Sequence, residues 1–110
     1  MPSSKEYKDF ILEQLSEIPN LTCQPMMGEF MLYSDDILFG GIYDDRLLIK
    51  IVSENSQYNM PTDLPYSGGK PMYLIEDVGD KQLLIKIIKS TINGLKSWYL
   101  TTQKIAREYN

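Results

Sequence analysis

From residue 21 to residue 76 the apolar residues come in short runs separated by acidic or glycine-containing breaks, the pattern of consecutive antiparallel strands. Residues 21–34 predict two short strands, with Gly28 allowing a tight turn or bulge between them. Ser34-Asp35-Asp36 and Asp44-Asp45 predict two further turns, because aspartate side chains bond nearby backbone amides. The run Ile37 to Tyr43 is interrupted by Gly40-Gly41, where missing side chains predict a kink or the close approach of another piece of backbone. Arg46 to Val52 reads as a central strand, with Lys50 turned outward between Ile49 and Ile51. Ser53 to Met60 predicts a polar helical turn opened by a serine cap and closed by Pro61, and Asp63 to Gly69 reads as loop. Pro71 to Glu76 supplies the last strand, its proline at the first residue, where no ladder donor is required.

Helical periodicity brackets this region. Ser3 followed by Glu6 has capping-box spacing, and Tyr7, Phe10, Ile11, Leu15 and Ile18 form one apolar stripe, stopped by Pro19-Asn20. Asp80 caps the longest helix, whose apolar face is Leu84, Ile87, Ile88, Ile92, Leu95 and Tyr99. Gly94 predicts a bend or an end, with a second short helix running to about residue 107. The expectation is one α+β domain over residues 1–110. It has a single antiparallel sheet of about five strands whose apolar side is roofed by the N- and C-terminal helices.

Charge changes the picture at one place. Residues 81–107 carry six basic groups and no acidic one, or +6, while the remainder carries 5 basic and 15 acidic groups, or −10, giving the net −4. At the helical angle Lys86, Lys89, Lys96, Lys104 and Arg107 fall within one arc of roughly 80°, away from the apolar face. This basic helix on an acidic body is the candidate interaction face. The plainest reading is a solvated face that suits a helix C-terminus. The functional one is docking on an acidic protein surface, a second copy of this chain in a homodimer included. Nucleic acid is the weaker alternative, since arginines and aromatic base-reading groups are scarce and the acidic body repels phosphates. Trp98, Tyr99 and Leu100, next to this basic helix, read as core or contact patch.

Chemistry-bearing motifs are few. With no histidine and one cysteine, Cys23, the chain has neither a disulfide partner nor a zinc set, and Cys23 lacks a base to activate it. The aspartate pairs lack the spacing of a calcium loop and read as turns. Ser67-Gly68-Gly69-Lys70 is a candidate ligand loop, but Pro71-Met72-Tyr73 continues as strand, without the helix start that aims dipole and amides at a phosphate. The expectation is therefore a binding protein and not an enzyme, with no cofactor and no metal. The polar N-terminus lacks a signal-peptide core, and no apolar run approaches the roughly 18 residues that span a bilayer. A cytoplasmic location with no membrane association is expected.

The order of pieces resembles the N-terminal domain of the TfoX (Sxy) competence regulators. The resemblance rests on Met26-Met27-Gly28 before the strand Phe30 to Tyr33, an acidic turn, Asp45-Arg46-Leu47-Leu48-Ile49-Lys50, and Tyr66-Ser67-Gly68-Gly69-Lys70-Pro71-Met72-Tyr73. It departs from the family where Pro25 replaces a basic residue and Glu29 a second glycine. The resemblance implies a sheet packed by helices on one face, similar in plan to secretion-chaperone-like folds. It also implies a regulatory role exercised through protein contacts, and offers no catalytic residues to carry over.

Overall fold

A computed structural model describes the backbone of residues 2–109 and the side-chain surroundings of residues 2–107. The element order is α1 (Lys5–Gln14), β1 (Leu21–Met26), β2 (Glu29–Ser34), β3 (Ile37–Ile42), β4 (Leu47–Ile49), a 3-10 turn (Ser53–Tyr58), β5 (Thr62–Asp63), β6 (Met72–Ile75) and α2 (Lys81–Tyr109). Among these residues the strands form one sheet in the order β1-β2-β3-β4-β6-β5, antiparallel at every pairing. The α+β plan with terminal helices is as the sequence predicts. The sixth strand is the difference: β5 is two residues long and lies at the edge of the segment whose polar and proline content reads as loop.

The first four strands form a meander held by three two-residue turns. Met27-Gly28, Asp35-Asp36 and Asp44-Asp45 each place both residues at positive φ, between 49° and 85°. That is the geometry whose twist matches a right-handed hairpin, and aspartate and glycine tolerate it better than most residues. At the third turn Tyr43 and Arg46 exchange both backbone hydrogen bonds, at 2.9 and 3.0 Å, and extend the ladder past the strand ends. The strand read over Arg46 to Val52 is shorter, Leu47–Ile49, because the chain beyond Lys50 leaves the sheet for the 3-10 turn. It sits where expected, between β3 and β6.

Packing explains the other departures. The cap of α1 is Ser4 rather than Ser3: Ser4 Oγ accepts from Tyr7 N, whereas Ser3 donates through N and Oγ to Glu29 at 2.9 Å. Ser3 Oγ also accepts from Asp45 N, tying the N-terminus to the third hairpin. Regular helix ends at Gln14, yet Leu15 and Ile18 still reach the core, while Phe10, placed on the predicted stripe, stays exposed. The 3-10 turn is entered from Val52, not capped by a serine side chain. Helix α2 runs unbroken through Gly94. A Cβ there would lie 2.6 Å from Val52 Cγ2 and 2.6 Å from Glu54 Oε1, so this glycine admits the 3-10 turn against the helix and does not end it. At its start α2 is capped as predicted, Asp80 Oδ1 accepting from Leu83 N at 3.1 Å.

The main core lies between the sheet and the helices. Leu32, Phe39, Ile42, Leu47, Ile49 and Ile75 meet Ile11 and Leu15 of the N-terminal segment and Leu84, Ile88 and Ile92 of α2. A register shift between β2 and β3 pairs Leu32 with Gly40 and Tyr33 with Leu38, leaving Phe39 as the bulged residue, fully buried in this core.

Candidate functional site

Strand alternation puts a second apolar set on the face of the sheet away from the helices. Leu32, Phe39 and Tyr73 belong to the helix-side core, so their neighbours Met31, Leu38 and Met72 project the other way, as does the fully buried Leu48 between Leu47 and Ile49. The segment after β5 folds back over part of this face. Pro65 is buried, and the Tyr66 ring lies 6.5 Å from the Tyr43 ring at a 57° tilt, while Tyr43 OH donates to Met31 Sδ at 3.3 Å. Burial first, and then the neighbouring Tyr66, push the Tyr43 hydroxyl above its ordinary pKa, so it is protonated and donating at neutral pH.

What remains uncovered is a groove of about 560 Å³ with Met31, Leu38 and Met72 on its floor and Tyr66 on its wall. The predicted ligand loop borders it: Gly68, Gly69 and Lys70 line it, as do Lys50 and Ile51. Loop and central strand are thus brought together, as are two of the stretches on which the family resemblance rests. The apolar floor is the part that sequence reading missed. A signal existed in Leu47-Leu48-Ile49, since an unalternating apolar strand implies cover on both faces.

Arg46 fastens the wall. Its Nη1 donates to Asp63 Oδ2 at 2.8 Å and to the Leu64 carbonyl at 2.9 Å, its Nη2 to the Pro65 carbonyl at 3.3 Å, and its Nε back to the Tyr43 carbonyl at 3.1 Å. The Leu64 amide, and then Arg46, hold the Asp63 carboxyl below its ordinary value of 3.8. A carboxylate whose pKa is lowered by folding stabilises the fold fully above its unfolded pKa and loses that contribution as pH falls through the folded one. Asp63→Asn is therefore expected to be less stable than the parent at neutral pH. Its acid-unfolding curve should converge with the parent's below about pH 4. Parallel curves of constant separation would remove Asp63 from the clamp.

The second feature is α2 itself. Twenty-nine residues make it about 43 Å long, against a longest molecular dimension of 47 Å. Its core seam runs Leu84, Ile88, Thr91, Leu95 in steps of four and three, and the same steps continue through Trp98, Thr102 and Ile105. Up to Leu95 this seam is covered. Every residue from Lys96 to Arg107 is exposed, including Trp98 at 66%, Tyr99 at 55% and Ile105 at 48%. The predicted basic arc is on the surface too: Lys86, Lys89, Lys96, Lys104 and Arg107 are all exposed, with Lys96 Nζ 3.9 Å from Asp35. Lys81, outside the arc, donates to Ser16 Oγ at 3.2 Å.

Cys23 is half-buried on the edge strand β1, and burial raises its thiol pKa against the opposing effect of Lys8. The aspartate pairs form hairpin turns, and Asp45 Oδ1 accepts from Ser4 N at 2.8 Å. Among the described residues no helix is long and apolar enough to cross a membrane.

No family model matches the chain. It is similar to a protein of Spirochaeta aurantia described as an uncharacterized 12.7 kDa protein in the trpE 5′ region. The two are 28% identical over 80 residues, spanning 71% of this chain and 70% of the relative.

Proposed function

We propose that this chain is a TfoX-like interaction module of the cytoplasm that acts by holding another protein, in a regulatory role, and not by making or breaking bonds. One observation carries the reading: the apolar seam of α2 continues without change of spacing from buried Ile88 and half-buried Leu95 to exposed Trp98 and Ile105. An aromatic pair on a projecting helix is the composition of an interface centre rather than of an idle surface. Lys96, Lys104 and Arg107 lie on the opposite side of the same helix from this seam and give it a second, basic face that suits an acidic surface. A second copy, whose body outside residues 81–107 carries −10, has the matching charge. Nucleic acid is the less favoured partner, because Lys96 already faces Asp35 and the acidic body stands behind the helix.

The test is a photo-crosslinking residue placed at position 98, with position 5 on α1 as the control. Adducts of one or two defined masses from position 98 alone are expected, and sedimentation shows whether one is the dimer. With the crosslinker kept at position 98, Ile105→Ser should abolish them while shifting thermal unfolding by only a few degrees, since that side chain is exposed. Equal labelling from both positions would overturn the reading.

A further inference from the structure

We propose that the groove on the helix-free face of the sheet is a binding site for a small amphipathic anion. The ligand would have an apolar or aromatic body seated on Met31, Leu38 and Met72 and a single carboxylate-like head held by Lys50 and Lys70. The inference goes beyond the protein-contact reading and does not rest on it.

Five observations lead to this ligand. The cavity of about 560 Å³ lies inside the range of small-molecule sites, roughly 300 to 1,000 Å³, and its lining offers two thioethers and two tyrosine rings, which suit a flat or flexible apolar body. No carboxylate lines it, although acidic residues outnumber basic ones in the chain, 15 to 11. Among the described residues neither the Lys50 nor the Lys70 ammonium has an ion-pair or hydrogen-bond partner, so both charges are free to receive an anion. Lys50 is half-buried at the end of β4, where the chain leaves the sheet, and a cation so placed gains more from a counter-ion than one in open solvent. Arg46 holds the opposite wall through three contacts to residues 63–65, so the groove is formed before the ligand arrives.

Charge also decides against other occupants. The projecting end of a second copy's α2 carries Lys96, Lys104 and Arg107 and no acidic residue through position 107, the same sign of charge as Lys50 and Lys70. An acidic peptide would be held by two lysines and repelled by the acidic body on either side. A ligand with one charge and an apolar body meets neither obstacle.

Anilinonaphthalene sulfonate, itself an aromatic anion, is the reporting probe, with decanoate and decanol as competitors. Saturable binding at one site is expected, displaced by decanoate below its micellar concentration. Decanol, with the same chain and no charge, should compete about tenfold more weakly or worse. Lys50→Gln with Lys70→Gln should bring decanoate down to the level of decanol, and Lys70→Gln alone, at an exposed position, should give part of that loss with the circular dichroism unchanged. Ile105→Ser, which lines no part of the groove, should bind like the parent. Competition by decanol equal to that by decanoate would reduce the groove to a greasy patch. Displacement by inorganic phosphate or hexaglutamate as strong as by decanoate would reduce it to a charge patch. Loss of binding in Ile105→Ser would move the probe to α2. Each of these overturns the proposal.

Discussion

Gly40→Ala is expected to destabilise the fold by about 3 kcal/mol or more, a large part of the roughly 5 to 15 kcal/mol that holds a domain together. A Cβ at residue 40 would lie 2.3 Å from the Leu48 carbonyl oxygen, 3.0 Å from Ile49 Cα and 3.1 Å from Ile49 Cγ2. Two of these are backbone atoms of the paired strand and cannot rotate away, so relief requires β3 and β4 to move apart. The Gly40–Ile49 pairing and the Lys50 N to Phe39 O hydrogen bond of 2.9 Å hold the two strands together at this point. Separation there also displaces Phe39, fully buried one residue earlier, and disturbs Leu38 and Lys50 of the groove. Gly79→Ala is the internal control. Its added Cβ finds only Asp77 Oδ1, at 3.9 Å, and its urea midpoint should stay close to the parent's. If Gly40→Ala unfolds at the same urea concentration as the parent, the register of β3 on β4 is wrong.

Gly40-Gly41 shows what a sequence discloses and what it withholds. Two adjacent glycines in an apolar run point to a close approach, and the structure supplies one: a Cβ at Gly41 would lie 2.7 Å from the Phe30 carbonyl oxygen. The hairpins were readable for a similar reason, since the dihedrals that Asp35-Asp36 and Asp44-Asp45 adopt are a local matter that residue type records. Gly94 misleads by the same local rule. Its helix penalty predicts a break, but the reason for glycine there is Val52 and Glu54, some forty residues away in the chain. The Ser3–Glu6 spacing points to Ser3 as the cap, but Ser3 is engaged by Glu29, a residue distant in the chain, and Ser4 caps instead. The β5 strand carries too few residues to show any period. The groove is hardest of all, because its floor comes from β2, β3 and β6 and its two lysines stand twenty positions apart. Ser67 to Lys70 identifies a loop worth attention, but not the apolar surface opposite it.

The second large effect is expected at Asn55, which no chemical motif marks. It is fully buried on the 3-10 turn, and its amide is used on both sides. Oδ1 accepts from Val52 N at 3.1 Å, and Nδ2 donates to the Lys50 carbonyl at 2.8 Å and to Thr91 Oγ1 at 2.9 Å. Thr91, also fully buried, passes its own proton to the Ile87 carbonyl at 2.8 Å. Asn55→Ala removes three hydrogen bonds and strips two backbone groups of a partner, a loss of about 3 kcal/mol. Thr91→Val should be milder, because the Ile87 carbonyl keeps its place in the helix ladder, and about 1 kcal/mol is expected. The double variant should cost less than the sum by about 1 kcal/mol, since the bond between the two side chains is then counted only once. Strict additivity of the urea-derived free energies would mean that the two side chains do not form that bond. The same variants bear on function. Asn55 ties the Lys50 carbonyl, at the rim of the groove, to α2 one turn before the helix leaves the body. Loosening it should therefore weaken anion binding in the groove and free the base of the projecting seam together, although neither Asn55 nor Thr91 lines the groove.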